Sequence, residues 1–134
     1  MRASQFIVEG VEENANVVEM FKKFLPLAME VLQIDSLPKM TFVTKVDDTE
    51  QPTFGSYSNG DRILQVALTG RHPNDILRTV AHELTHYKQD INDELNNDSG
   101  DTGSDHENEA NATAGIIMRH FNKQYPEYLR SKPL

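Results

Sequence analysis

The segment that begins at Pro73 constrains the fold most, because it predicts a helix whose two sides differ in chemistry. Proline is favoured at the first position of a helix, and Asp75 suits the positive N-terminal end of the helix dipole. Apolar residues recur at the spacing of one helical face, at Leu77, Val80, Leu84, Tyr87 and Ile91. His82, His86 and Gln89 fall on the opposite side. We therefore expect this helix to bury one face in the core and to present its histidines to a cleft or a second layer.

The two histidines can bind one metal ion. They are four residues apart, so both side chains lie on one helical face, about 6 Å from each other. Glu83 follows the first histidine and is rotated by about 100° around the helix axis, which aims its carboxylate at a metal-bound water rather than at the ion. This pattern favours a zinc site with a built-in base. The alternative is a chance grouping on a solvated helical face.

A zinc site of this kind needs a third protein ligand and keeps its fourth position for water or substrate. The chain has no cysteine, so the third ligand must be an oxygen or an imidazole. A second helical pattern opens at Ser104, with an apolar stripe at Ala110, Ala114, Ile117 and Phe121. Counted at 100° per residue, Glu107 and His106 can face the packed side of this helix, whereas Glu109 is more lateral. All three residues are candidates for the third ligand, and the helical wheel favours Glu107.

Glu107 also has a purely structural interpretation. Ser104 followed three residues later by a glutamate is the pattern of a capping box, in which both side chains satisfy backbone donors at the helix start. Against this interpretation, a third ligand is required, and the other acids lack a packed helix to present them.

Two segments carry a resemblance to known proteins. Residues 80–86 resemble the His-Glu-x-x-His active-site helix of the zincin metallopeptidases, and residues 107–114 resemble the glutamate helix of their gluzincin branch, including small bacterial regulator-cleaving enzymes. The resemblance spans about 40 residues and is specific at six or seven of them. It implies a zinc ion bound by His82, His86 and Glu107.

The resemblance also implies roles for neighbouring residues. Glu83 would be the general base that takes a proton from a zinc-activated water, and Asn111 would orient a ligand histidine through its other ring nitrogen. In a second register, residues 108–110 resemble the Asn-Glu-Ala of thermolysin-like enzymes, which would make Glu109 the third ligand. Relatives carry a further donor for the oxyanion, and the weak candidates here are His106, Tyr125 and Tyr128.

The rest of the chain predicts a further helix and a small sheet that pack with these two helices. A helical stripe runs from about Glu12 to Gln33, and Pro26 should kink it or split it. Three strands are expected, at Met40–Val46, Thr53–Ser58 and Arg62–Leu68, the last two joined by an Asn-Gly-Asp hairpin turn. By resemblance we expect one α+β domain of zincin type over residues 1–134. It would contain a small three-stranded, mostly antiparallel sheet, with residues 62–68 as the edge strand along the cleft.

Composition excludes several other classes. The absence of cysteine removes disulfide frameworks and cysteine-rich zinc folds, and the net charge of -8 argues against nucleic-acid binding. No apolar run reaches the length of a membrane span, and the first residues lack the apolar core of a secretory signal, so we expect a cytoplasmic protein. Residues 7–10, Ile-Val-Glu-Gly, resemble the site that prohead proteases of tailed phages cleave. Residues 1–9 would then be a removable leader on a protein packaged in a phage particle, or else a plain lead-in to the first helix.

These observations predict a zinc metallopeptidase that acts on a peptide or protein substrate. The competing hypothesis is a zinc-binding regulatory or interaction module that keeps the scaffold without turnover. An intact Glu83 favours the enzyme, because a purely structural zinc site has no use for a base beside the metal.

Overall fold

The structure is a computed structural model that describes residues 6–8, 15–43, 54–68, 70–92 and 104–133. These residues include three α-helices: α1 is Ala15–Leu32, α2 is Pro73–Ile91 and α3 is Asp105–Gln124. A 3-10 helix, Pro126–Arg130, follows α3. The strands are β1 (Phe6–Val8), β2 (Lys39–Val43), β3 (Gly55–Ser58) and β4 (Ile63–Ala67). The expected α+β class is therefore confirmed. No helix among the described residues is both long and apolar enough to cross a membrane.

The described strands form one mixed sheet in the order β1-β2-β4-β3. β1 pairs with β2 and β2 with β4 in parallel, whereas β3 and β4 form the antiparallel hairpin that the Asn59-Gly60-Asp61 turn predicts. The prediction of three mostly antiparallel strands is wrong in two respects. Two of the three pairings are parallel, and a strand at residues 6–8 was not foreseen. Within the predicted leader, residues 1–5 and 9 lie outside the described residues, and its cleavage stays a prediction.

The position of β4 corrects a second expectation. Residues 62–68 were predicted as the edge strand, but β4 lies between β2 and β3. The chain passes from β2 to the outer strand β3 first, and the hairpin then inserts β4 beside β2, where Leu64 and Val66 are fully buried. The edge of the described sheet on this side is therefore β3.

α1 is one continuous helix through Pro26, so of the two predicted effects of this proline, a kink or a split, the split does not occur. The proline removes one helical hydrogen bond. Burial of the residues around it offsets this cost, since Phe24, Leu25 and Ala28 are all fully buried. The α1 aromatic side chains reach both neighbouring layers, because the Phe21 ring packs on Phe42 of β2 and the Phe24 ring on Phe121 of α3.

The packing of α2 determines where its histidines point. Leu77, Val80 and Leu84 of the predicted apolar stripe are fully buried, Tyr87 is buried, and Ile91 packs at the margin of the same core. The opposite side of α2 contacts α3 along the helix. His82 and His86 therefore face a second helix, as the pattern predicts.

Candidate metal centre

The start of α2 is set by local chemistry. Pro73 occupies the first turn, where a missing backbone N–H costs nothing, and Asp75 lies in the same turn. The preceding His72 is the N-cap, and its Nδ1 atom accepts a hydrogen bond of 3.0 Å from the Asn74 backbone N–H. The helix continues without interruption to Ile91, so His82 and His86 are held on one face with their rings 4.9 Å apart.

Glu107 lies directly opposite the two histidines. One of its carboxylate oxygens is 2.6 Å from Nε2 of His82, and the other is 3.0 Å from Nε2 of His86. Ligand atoms from all three residues lie within 4.8 Å of one another, so the group can hold a metal ion. Ligands of a tetrahedral zinc ion are about 3.3 Å apart, given bonds of about 2.0–2.1 Å. The two nitrogen–oxygen distances need to lengthen by only about 0.3 to 0.7 Å to reach that value.

The beginning of α3 places Glu107. The Ser104 hydroxyl accepts a hydrogen bond of 3.1 Å from the Glu107 backbone N–H, which is the N-cap half of a capping box. The Glu107 carboxylate meanwhile has both oxygens at the histidines. The Ser104 side chain thus caps the helix, whereas the Glu107 carboxylate completes the cluster.

Both rival residues contact Gln89. The Glu109 carboxylate accepts a hydrogen bond of 2.8 Å from Nε2 of Gln89, and the backbone carbonyl of His106 accepts one of 3.0 Å from the same atom. The structure brings Glu107, and not Glu109 or His106, to the histidine pair.

Gln89 is a residue that the sequence reasoning placed on the histidine face without assigning it a role. It is fully buried, and its Oε1 atom lies 2.8 Å from Nδ1 of His86. Its amide nitrogen must face His106 and Glu109, because a carbonyl and a carboxylate can only accept hydrogen bonds. The amide oxygen is therefore left for His86, whose Nδ1 must carry the hydrogen. This contact directs the Nε2 lone pair of His86 towards the cluster.

His82 has a corresponding partner. The Asn111 side chain hydrogen-bonds to it, as the resemblance implied. Burial lowers the pKa of His82, and a positive charge on His86 would lower it further, although the Glu107 carboxylate opposes both effects. A lowered pKa keeps the imidazole neutral near pH 7, which is the form that binds a metal ion.

Glu83 is the buried acid next to the cluster. Only 8% of the residue is exposed. Burial, and then the negative charge of Glu107, raise the pKa of its carboxyl to about 8. A carboxyl with such a pKa can exchange a proton near neutral pH.

The strand β3 passes close to Glu83 at Gly55. A Cβ atom at this position would overlap with Cγ2 of Thr79 and would lie 3.5 Å from Cγ of Glu83. Only glycine allows the strand to approach α2 this closely. The absence of a side chain at Gly55 thus allows β3 to lie close to Glu83 without steric conflict.

A second contact fixes the other end of β3. The Tyr57 hydroxyl donates a hydrogen bond of 2.5 Å to Asp90 in the last turn of α2, and the Tyr57 ring packs edge-on against Tyr87. Burial and this hydrogen bond raise the pKa of Tyr57. Arg62 adds an ion pair of 3.5 Å to the same carboxylate. From Gly55 to Tyr57, β3 therefore packs against α2.

Two of the candidate oxyanion donors are excluded. Tyr125 and Tyr128 pack against Phe121, with ring centroids 5.1 and 5.5 Å away, and the Lys23 ammonium lies over both rings. Tyr125 follows Glu107 by 18 residues, which is about 27 Å along a helix. Both tyrosines therefore lie at the end of α3 that is remote from Glu107, where the 3-10 helix packs.

The chain matches no protein-family model, no curated protein and no solved structure. Within the described residues, the site consists of two imidazoles and a carboxylate that can hold a metal ion, with a buried carboxylate beside them and a sheet edge alongside.

Proposed function

We propose that this protein is a zinc metallopeptidase. The observation that carries the proposal is the position of Glu83, a buried acid beside a metal-capable cluster and beside the edge strand β3. A site that used a metal only to stabilise the fold would not need a carboxylate there, because burying one without a partner costs free energy.

Zinc suits the donor set. Two neutral imidazole nitrogens and one carboxylate oxygen form a three-ligand set that leaves one position open, as in catalytic zinc sites. When bound, the ion would polarise the scissile carbonyl and lower the pKa of the attacking water. His82, His86 and Glu107 would hold it, and Gln89 and Asn111 would orient the two imidazoles from behind.

Glu83 is the proton carrier in this proposal. Its carboxylate takes a proton from the attacking water and passes it to the nitrogen of the leaving amine. The burial that raises its pKa in the metal-free protein makes its protonated form accessible near neutral pH, which the second transfer requires. A bound cation would favour the carboxylate form and so prepare it for the first transfer.

The edge of β3 supports a peptide substrate. The Phe54 carbonyl accepts a hydrogen bond of 2.9 Å from the Ala67 N–H, so this pair is hydrogen-bonded across the hairpin. Hydrogen-bonded and non-bonded pairs alternate along an antiparallel ladder. The backbone groups of Gly55 and Tyr57 therefore point away from β4, where an extended peptide can pair with them as an added strand.

Replacing Glu83 with Gln tests the proposal. The variant should keep about one zinc per chain and lose most peptide hydrolysis in a library assay, because the amide cannot accept the proton. Glu30→Gln, at an exposed position on α1, is the matched control and should cleave like the parent. Equal cleavage by Glu83→Gln and the parent would contradict the mechanism. A zinc-loaded parent that cleaves no peptide would instead favour the zinc-binding module without turnover.

A further inference from the structure

An open cleft of about 620 Å³ adjoins the candidate site. It lies between the start of β3 and the first turns of α2, and Phe54 and Thr79 line it. Phe54 directly precedes Gly55, and Thr79 lies one helical turn before Glu83. A peptide that runs along β3 past Glu83 would therefore extend into this cleft at one end.

Arg71 forms a fixed positive wall of the cleft. Its guanidinium donates to four acceptors: the carbonyls of Ala67 (2.9 Å), Phe54 (3.4 Å) and Asp75 (3.1 Å), and the hydroxyl of Thr79 (2.7 Å). It also lies over the Phe54 ring, 4.5 Å from the centroid. All four acceptors are neutral groups. The charge of Arg71 is therefore held in place without being cancelled by a hydrogen-bonded carboxylate.

Arg78 adds a second positive charge. It lines the same cleft, its side chain is exposed, and no ion pair joins it to another of the described residues. Asp75 is the one acid among the described lining residues. His72 also lines the cleft, and because its Nδ1 accepts from Asn74, its Nε2 is available as a donor. Two arginines against one aspartate make this cleft locally basic in a chain of net charge -8.

We propose that this cleft is a specificity subsite for a carboxylate of the peptide substrate. The carboxylate would come from a Glu or Asp side chain or from the free C-terminus. Arg78 would bind it with its guanidinium fork, and the fixed charge of Arg71 would attract it. The exposed face of Phe54 would contact the apolar part of the bound residue. This inference rests on the proposed peptidase function and names the substrate class for that site.

Matched peptides on the full, zinc-loaded chain test the subsite. One set differs only by Glu against Gln, moved in turn through the positions on each side of the cleaved bond, and a second set differs only by a free against an amidated C-terminus. We expect one of these carboxylates to be preferred by about tenfold in kcat/KM, mainly through KM, because the two peptides of a pair differ by one charge-assisted bidentate contact. The first set identifies a side chain as the source, and the second identifies the C-terminus.

Two arginine variants assign the preference to a residue. In Arg78→Gln the ratio of kcat/KM within each matched peptide pair should fall to about one, and the zinc content should stay that of the parent. Arg119→Gln changes an exposed arginine on α3 that does not line the cleft, and this variant should keep the preference. Fluorescence anisotropy of the same peptides on the non-hydrolysing Glu83→Gln background measures the preference without turnover.

Each outcome bears on the inference. Equal cleavage within every peptide pair, or a preference that survives in Arg78→Gln, overturns the subsite alone. A preference in binding that disappears with Arg78→Gln, but without hydrolysis by the parent, supports the subsite and overturns the peptidase function. Neither binding nor cleavage of any peptide overturns both.

Discussion

Gln89 should control metal affinity although it never touches the ion. Its side chain is fully buried and connects Nδ1 of His86 with α3 through three hydrogen bonds of 2.8 to 3.0 Å. Gln89→Ala removes all three bonds and leaves the buried Nδ1–H of His86 without its acceptor. A buried polar group left unsatisfied costs about 1–3 kcal/mol. Glu109 is exposed and can turn to water, so we expect the free energy of unfolding to fall by about 1–3 kcal/mol.

The loss of metal affinity follows from the freed imidazole. Without Gln89, the ring of His86 can rotate, and either nitrogen can carry the hydrogen. Removing such an orienting partner typically weakens metal binding 10- to 100-fold, which is about 1.4–2.7 kcal/mol. Zinc competition against a chromophoric chelator measures the affinity, and urea unfolding of the metal-free protein measures the stability.

A surface variant provides the control for Gln89→Ala. Gln124→Ala removes an exposed glutamine at the end of α3, whose hydrogen bond to Tyr125 is 3.3 Å long. We expect its stability to stay within about 0.5 kcal/mol of the parent and its zinc affinity to be unchanged. If Gln89→Ala binds zinc within about twofold of the parent, Gln89 does not orient His86 and the role given to it here is wrong.

Three further predictions concern the neighbourhood of the base. Gly55→Ala should destabilise the protein by about 1–3 kcal/mol and reduce hydrolysis, because the new methyl group overlaps with Cγ2 of Thr79. Adding Thr79→Ser should restore most of the loss in a thermal unfolding assay, while Gly60→Ala, with open space around it, should cost little. The pKa of Glu83 rises to about 8 from its ordinary 4.5, so the folded metal-free protein holds an extra proton between these values. The contribution of this protonated carboxyl to the free energy of unfolding is fully present below about pH 4.5 and is lost as the pH rises towards 8. Urea unfolding should show the parent losing up to about 1.4 kcal/mol per pH unit relative to Glu83→Gln, and a constant difference would contradict the assignment. A bound peptide inhibitor should slow amide hydrogen exchange at Gly55 and Tyr57, and unchanged exchange there would exclude substrate pairing on β3.

Local patterns were sufficient to predict α2. Its proline start, its acidic first turn and its apolar stripe all involve residues within a few positions of one another, and the structure agrees with each of them. The choice of Glu107 over Glu109 also came from a local property, the angle between side chains on one helix. Helix geometry was therefore sufficient to predict from the sequence that His82, His86 and Glu107 lie together.

Contacts between distant segments were not predictable in the same way. The order of the strands depends on whether β4 enters the sheet beside β2, and no pattern within residues 55–67 reveals that neighbour. The sequence indicates the interior position of β4 only weakly. Its apolar run is denser than a half-exposed edge strand needs, and the structure buries all of Leu64, Val66, Ala67 and Leu68.

Gln89 shows the same limit at the site. Its position three residues after His86, on the histidine face of a helix expected to meet a second layer, was a usable indication of a buried polar contact. Its partners, however, lie 17 and 20 residues further along the chain. Which polar groups of α3 would meet it depended on how the two helices pack.

The most direct test of the account is the metal content of purified protein, measured by mass spectrometry for the parent, Glu107→Ala and Glu109→Ala. We expect about one zinc per chain in the parent, retention in Glu109→Ala and loss in Glu107→Ala, because Glu107 is the one described acid whose carboxylate lies at both histidines. A parent that binds no metal under zinc-replete conditions, or a loss of zinc in Glu109→Ala alone, would contradict it.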